Sequence, residues 1–587
     1  MPKENEAFDK FTMINELARR RGFFFPSYEI YGGVSGFSTY GCFGARLKQN
    51  IERKLRELYV YKLGILEIES PIIAPDKIFE ASGHIEHFKE PMIECLKCKK
   101  RFRADHLIAE CTQISQSEAE KLSLQELKDV IEKEKIRCPD CGGEFGEPKY
   151  FLTMFKTTIG PYSDAVGYGR PEAAQGIFVE FKRLYEMARE KLPFGVIQIG
   201  RALRNEISPR QGLLRLREFT IGDLEFFFDP EEPDCYLLKN VEKEKLKLLL
   251  AETRLKGSEE LIEVTVKEAL KRGYIKAEWQ AVFMAYAKKL LVDIGIPAEK
   301  QRFIEKHPWE RAHYSLQTYD QEVIVERWGW VEVTACAYRT DYDLKRHSEF
   351  SGQDMYVFKE YEKPVEEEKS TLKPIMAKMG PTFKNEAARV AELLSKVNPK
   401  EVEASMKKNG FFMLGKCKIL PEHVNIKREK IMERGRRFIP HVVEPTFGLD
   451  RLFYVAFEYA YRTKDDRTLL SFPRDIAPLQ VGVYPLVSKD GLPEKALELH
   501  KMVLDEGFVA DYDDAGSIGR RYARADEVGI PLGLTVDYET LENSTVTLRD
   551  RDSWKQVRTR IEDLSMLLHE YFRWKIDFED LGKPLKS

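Results

Sequence analysis

Apolar residues recur at helical spacing in ARLKQNIERKLRELYVYKLG (45–64). Leu47, Ile51, Leu55 and Leu58 fall on one stripe, and Gly64 stops the element. LEIESPIIAP follows as a strand that Pro71 ends or bends. Residues 85–150 turn charged and helical, as in SLQELKDVIEKEK, and read as an insertion. Strand patterning returns over 151–229, where GVIQIGRALRNE, the polar loop ISPRQG and LLRLREFTIGDLEFFF predict strand, loop, strand. The alternation of LLRLREF predicts Arg215 and Arg217 on one face, with Leu214, Leu216 and Glu218 on the other. Residues 231–305 are rich in Lys and Glu and predict helix, best in LKNVEKEKLKLLLAETRLK.

Strands resume at 320–345 around VIVERWGWVEVTACAYRTDYDL. Residues 355–430 form a second, lysine-rich insertion, and IPHVVEPTFGLDRLFYVAFEYAY (439–461) reads as strand, glycine turn and apolar helix. After FPRDIAP, strands and helices alternate to the end, which predicts a small α/β domain of about 100 residues.

At 587 residues the chain exceeds one core, and about three or four domains are expected. No run reaches the roughly 18 apolar residues of a membrane helix, and the polar start MPKENEAFDKF has no export signal. A cytoplasmic protein without a membrane partner is expected. A net charge of −3 does not announce nucleic acid, so such a partner would have to meet local basic patches.

Nine cysteines in an intracellular chain do not suggest disulfides. Cys42, Cys111, Cys235, Cys336 and Cys417 are scattered and expected to be ordinary buried residues. Cys95-x-x-Cys98 and Cys138-x-x-Cys141 differ: each pair aims two sulfurs at one point, and four thiolates suit tetrahedral Zn²⁺. Four protein ligands leave no open position, so the zinc would be structural. The gap of about 40 residues predicts a helix between the halves.

Three segments could carry chemistry. They are the helix and strand ending at Pro71, Arg204-Asn205-Glu206 leading to Arg217-Glu218-Phe219, and Gly448-Leu449-Asp450-Arg451 at a strand-to-helix junction. Their order resembles motifs 1, 2 and 3 of class II aminoacyl-tRNA synthetases. RPEAAQGIF, RNEISPRQGLLRLREFT, RTDYDL, VVEPTFGLDR, SIGRRYARADE and TLRDRDS resemble glycyl-tRNA synthetases of the archaeal–eukaryotic dimeric kind, over about residues 10 to 575.

The resemblance implies an α+β fold: a class II antiparallel-sheet catalytic domain with helical and zinc-bearing insertions, plus a C-terminal α/β anticodon-binding domain. The catalytic domain would span 1–84, 151–230, 311–354 and 431–474. It would be broken by a zinc-binding insertion at 85–150, a helical one at 231–310 and another at 355–430. The anticodon-binding domain would cover 475–587.

The implied activity is ATP-dependent ligation of glycine to tRNA-Gly through a glycyl-adenylate, with Mg²⁺, by a homodimer. Charge builds on the α-phosphate and the departing pyrophosphate, and fixed guanidinium forks with Mg²⁺ stabilise it. By resemblance, Arg204 and Arg451 are catalytic, and Glu206, Arg217, Phe219 and Glu332 complete the ATP site. Glu332 and Glu444 are plausible Mg²⁺ ligands. Glu172, Asp223 and Glu444 would cage the glycine ammonium, with Thr446 guarding the α-carbon and Arg339 on the substrate face. Arg520, Arg521, Arg549, Asp550, Arg551 and Asp552 are candidate tRNA contacts.

The family has Glu at position 223 and Ser at 446, and Cys42-Phe43 also depart from its pattern. Two further readings follow: a paralogue with another amino-acid choice, and a tRNA-binding paralogue without ligase activity. A pocket that admits the smallest amino acid needs no second sieve, so no editing domain is expected.

Overall fold

The computed structural model describes residues 9–161 and 165–585. Its centre is a nine-stranded sheet. In chain order the strands are β1 (Leu66–Glu67), β2 (Phe194–Leu203), β3 (Glu218–Phe228), β4 (Lys245–Leu249) and β5 (Ile262–Thr265). They continue with β6 (Gln301–Glu305), β7 (Gln317–Val325), β8 (Gly329–Thr340) and β9 (His441–Gly448). The spatial order is β5-β4-β6-β7-β8-β9-β3-β2-β1, antiparallel except for β4/β6 and β2/β1.

Three helices cover the sheet: α1 (Cys42–Arg56), α2 (Glu278–Asp293) and α3 (Leu449–Ala460). The stripe predicted on α1 is real, and Leu47, Ile51, Leu55 and Leu58 are all buried in the main core. No exposed stripe remains there. Exposed apolar side chains lie elsewhere, at Tyr61 on the turn that continues the helix and at Ile30 and Tyr31 in the 3₁₀ turn Glu29–Tyr31. Helix α2 is apolar on nearly all sides, and so lies inside, with Trp279, Phe283 and Leu290 sealed from water.

The helical reading of 231–310 is corrected. That segment supplies β4, β5 and β6 to the central sheet. In KLKLL the alternation wins: Leu246 and Leu248 turn inward while the Lys245 side chain stays in water. Lysine and glutamate enrichment described the solvent face and not the backbone. LLRLREF is corrected too. Gly212–Leu214 form a 3₁₀ turn and β3 starts at Glu218, so Arg215 and Arg217 do not share a strand face.

The 85–150 segment folds on a three-stranded sheet (Lys89–Glu94, Arg101–Arg103, Lys149–Leu152). Helices Ala104–Cys111 and Leu124–Lys133 lie between the cysteine pairs. Ser123 and Glu126 form a capping box at the second helix, as Ser-x-x-Glu dictates. Among the scattered cysteines, Cys235 and Cys336 are buried, but Cys42 and Cys111 are exposed and Cys417 is intermediate, against expectation.

The C-terminal part carries a six-stranded sheet (510–512, 481–485, 532–536, 545–550, 556–560, 583–584 in spatial order), parallel over the first three strands. Val483, Leu499, Leu534, Leu548 and Leu568 form its core. Residues Tyr356–Ile439 form a separate compact unit. Within it, Val357–Pro374 pairs with Val424–Phe438 as a long antiparallel ribbon, and Met379, Leu394, Val402 and Ile419 make a small core. The returning strand runs to Phe438, so this unit ends later than residue 430.

Candidate active site

The strand register builds the site. Asp223 on β3 pairs directly with Thr446 on β9, and Ala337 and Ala335 on β8 pair with Glu444 and Thr446. Residues two apart on a strand share a face. Asp223 and Glu225 therefore point with Glu444 and Thr446 over the small alanines, which leave space.

One side of this patch is a cleft of about 670 Å³, lined by Arg204, Glu206, Phe219, Glu332, Thr446 and Arg451 among others. Arg204 and Arg451, from distant stretches of chain, meet in it. Each is held by backbone carbonyls: Arg204 Nε donates to Pro171 O (3.1 Å), Arg451 Nε to Leu214 O (3.0 Å) and Arg451 Nη1 to Glu332 O (2.9 Å). The Arg204 guanidinium lies 5.3 Å from the Phe219 ring. Arg451 also sits 3.3 Å from the Glu332 carboxylate.

Arg217 is placed differently from the expectation. It braces the loop, donating to Glu206 O (2.9 Å) and Ser35 O (2.5 Å). Arg215 lines the cleft in its place and pairs with Glu206 at 2.6 Å.

Asp450, one residue before Arg451, fixes the junction. It accepts from the Thr220 amide (2.5 Å), from Lys48 Nζ (2.9 Å) and from the Tyr40 hydroxyl. Helix α1, β3 and α3 are thereby tied at one buried carboxylate. Sequence reading named Asp450 in the motif and gave it no role; Tyr40 and Lys48 carried no local signal.

The other side of the patch is a buried acid cavity around Arg339, which is fully buried. Arg339 makes a two-pronged pair with Asp343 (2.8 Å for each bond), bonds Glu444 Oε1 at 2.7 Å and reaches to 3.9 Å of Glu172 Oε1. Its guanidinium lies 3.6 Å from the Tyr314 ring centre. Glu172 and Glu444 thus face one cation and each other. Asp343 was missed, although its i+4 spacing from Arg339 across the β8 end was a visible signal.

Negative charge exceeds positive here, and the titrations show it. Burial pushes Asp223 up to about 6, helped by the Glu172 charge, against the Ala173 amide that donates to it at 2.6 Å. Burial pushes Glu444 up to about 8, with Arg339 opposing and Glu172 and Asp223 adding to it. Glu172 goes the other way: burial would raise it, but His84 and Arg339 hold it well below the usual carboxylate range. Glu225 is fully buried, neither of its oxygens has a hydrogen-bond partner, and burial with the nearby Glu444 charge drives it far up. Asp223 Oδ1 is likewise unpartnered. A cavity with spare buried acceptors is built for a cation.

The four paired cysteines converge. Cys95 and Cys141 sulfurs are 3.5 Å apart, Cys98 and Cys138 sulfurs 3.7 Å, and all four lie within 4.8 Å of one another. Zn–S bonds of about 2.3 Å in a tetrahedron require sulfurs roughly 3.8 Å apart, so the set fits a metal ion.

The expected tRNA contacts need correction. Arg549 is buried in a two-pronged pair with Asp526 (2.9 and 3.1 Å). Arg551 is buried and donates to Gly529 O (2.9 Å) and Phe472 O (2.8 Å), and Arg521 is buried among the carbonyls of Pro485, Asp514 and Gly516. These guanidinium groups hold the domain together and are not offered to a phosphate. Asp550 caps its own turn at Ser553 (2.7 Å), while Arg520 and Asp552 are exposed.

Residues 480–571 match the family model described as "Anticodon binding domain". The fold is similar to solved prolyl-tRNA synthetases at 12% identity. For Cryptosporidium parvum the TM-score is 0.51 over 97% of this chain and 81% of that one; for Giardia lamblia it is 0.51 over 95% and 75%. The architecture is therefore that of class II synthetases. The chain is 46% identical to the glycine–tRNA ligase of Aeropyrum pernix over 99% of its own length and 100% of the relative's. It is 47% identical to that of Pyrococcus horikoshii over 96% and 99%. At such identity along the full length, this chain belongs to the glycine–tRNA ligase family.

Proposed function

We propose that the chain ligates glycine to tRNA-Gly, forming a glycyl-adenylate from glycine and ATP and then releasing AMP as the amino acid moves to the tRNA. The observation that carries this is the junction at Thr446, where a cleft with two anchored guanidinium forks meets a buried cavity with surplus carboxylate. ATP occupies the cleft, with Phe219 against adenine and Arg204 and Arg451 against the phosphates. They are held before the reaction, so little reorganisation is needed as charge develops. The ammonium enters the acid cavity among Glu172, Asp223 and Glu444, and its carboxylate points toward the α-phosphate. Arg339 balances the acids and is a positioning residue. Thr446, paired in register with Asp223 and Ala335, is placed to limit the room beside the α-carbon.

When bound, Mg²⁺ would supply positive charge at the phosphates. Glu332, on the cleft wall, is the residue that would hold it. Asp320 supports the fit: burial and the Glu332 charge push it up to about 7 despite Lys306 at 2.7 Å, so another cation is favoured there. The four cysteines hold structural Zn²⁺ that pins the 89–152 segment. Residues 480–571 engage the anticodon end, through Arg520 and Asp552 among the residues expected from the sequence. The chain acts as a homodimer in the cytoplasm, with the exposed Ile30 and Tyr31 as part of the subunit face. Among the described residues no helix is long and apolar enough to cross a membrane.

ATP–pyrophosphate exchange, run with each amino acid in turn, tests the reading. Exchange stimulated by glycine is expected. Stimulation by another amino acid and not by glycine, or no exchange at all, overturns it.

A further inference from the structure

The segment Ser82-Gly83-His84 has no role in the chemistry above. Ser82 follows the helix Asp76–Ala81, and Gly83 takes φ 80° before the short helix His84–His87 begins. A Cβ at position 83 would come within 2.9 Å of His313 Nε2, so glycine is required by conformation and by space. The turn drives His84 inward, where it is fully buried between Phe79 (ring centroids 6.0 Å apart) and Phe88 (4.7 Å).

Two contacts fix the orientation of the ring. The Ser82 hydroxyl has one hydrogen and donates it to Ile78 O at 3.0 Å. Its oxygen therefore accepts from His84 Nδ1, 2.7 Å away. His84 Nε2 faces Glu172 Oε2 at 3.2 Å, without another partner. This contact sets one edge of the ring against the carboxylate in a site closed to water.

The other titratable groups facing the ring are His313 and His347, with Arg339 beyond Glu172. Burial holds both of those histidines below the ordinary range, His347 at about 4. The other Glu172 oxygen accepts from Gln175 Nε2 (3.0 Å), and Gln175 Oε1 in turn accepts from His347 (2.8 Å). A carboxylate offers about four lone-pair sites. With one donor on each oxygen, half of them remain for a ligand.

We propose that His84 is a positioning residue for amino-acid recognition: anchored by Ser82, its ring edge holds the Glu172 carboxylate turned so that its free lone pairs face the substrate ammonium. This rests on the reading of Glu172 as an ammonium acceptor. His84 itself does not touch the substrate. It acts as the fixed partner that orients a binding group, as second partners do at metal-binding histidines.

Steady-state pyrophosphate exchange on the full-length protein separates the possibilities. Asn in place of His84 keeps an amide nitrogen near the Nδ1 position and loses the contact to Glu172; Gln keeps a donor near Nε2. His84→Asn is expected to raise KM for glycine about tenfold or more, with KM for ATP and Tm close to wild type. His84→Gln is expected to recover most of that loss, and Glu172→Gln to raise KM for glycine at least as much as His84→Asn. If Glu172→Gln is impaired while His84→Asn keeps the wild-type KM for glycine, the inference fails and the ammonium reading stands. If Glu172→Gln leaves KM for glycine unchanged, the ammonium reading itself fails. If both His84 variants lose Tm and ATP affinity together, the role is structural and the inference is overturned.

Discussion

The cleft and the acid cavity share one strand register and solve opposite problems. In the cleft, Arg451 is partly open to water, and it and Arg204 are steered by neutral backbone carbonyls. Glu332, 3.3 Å from Arg451, balances part of the positive charge, and the solvent-open guanidinium remains accessible to phosphates. In the cavity, Arg339 is sealed from water and saturated by Asp343 and Glu444, while Asp223 and Glu225 keep unpartnered oxygens. Negative charge is left over, ready for an ammonium. Carbonyl partners alone do not mark a ligand-binding arginine, since Arg521 and Arg551 are also held by carbonyls but are buried; exposure to the cleft distinguishes Arg451.

The sharpest way to break this contrast is to remove each arginine. Arg339→Leu strips the only guanidinium that bonds Asp343 and Glu444 among the described residues, and an uncompensated buried charge typically costs about 3–5 kcal/mol. Urea unfolding should show that loss, and an unchanged midpoint would refute the structural role. Arg451→Ala should behave the other way. Exchange activity should fall about 10²–10³-fold, as for loss of one preorganised transition-state donor, with the thermal midpoint nearly unmoved.

A third, smaller effect sharpens the account of the cavity. Asp223 is raised to about 6 in the folded chain, from 3.8. Between those values the folded state binds more protons than the unfolded one, so stability from this group is present at low pH and falls as pH rises. The slope is about −1.4 kcal/mol per pH unit over roughly pH 4 to 6. Thermal scans of the ligand-free protein should show the decline, and Asp223→Asn should flatten it. A stability that climbs across this window in the wild type and stays as steep in the variant would count against surplus charge at Asp223.

Much of the site was legible because its residues sit inside contiguous text. Arg204, Glu206 and Phe219 lie in one stretch, Glu444, Thr446 and Arg451 in another, and the two CxxC pairs announce themselves by spacing. What escaped was set by partners distant in sequence. Arg217 and Arg215 exchange roles because a 3₁₀ turn replaces the expected strand. Arg521, Arg549 and Arg551 read as a basic surface, yet each finds acceptors inside the C-terminal part. A guanidinium has the same letter in both places, and burial alone decides which it is.

The sequence by itself determined the amphipathic face of α1, the two cysteine pairs and the identity of the charged groups. These depend on neighbours within a few turns or strands. It did not determine that 245–265 joins the central sheet, that Glu225 stands buried without a partner, or that His84 reaches Glu172. Those follow from strand register and helix packing, where residues 88 or 105 positions apart come within 3.2 Å of each other and the net charge of a cavity is first defined.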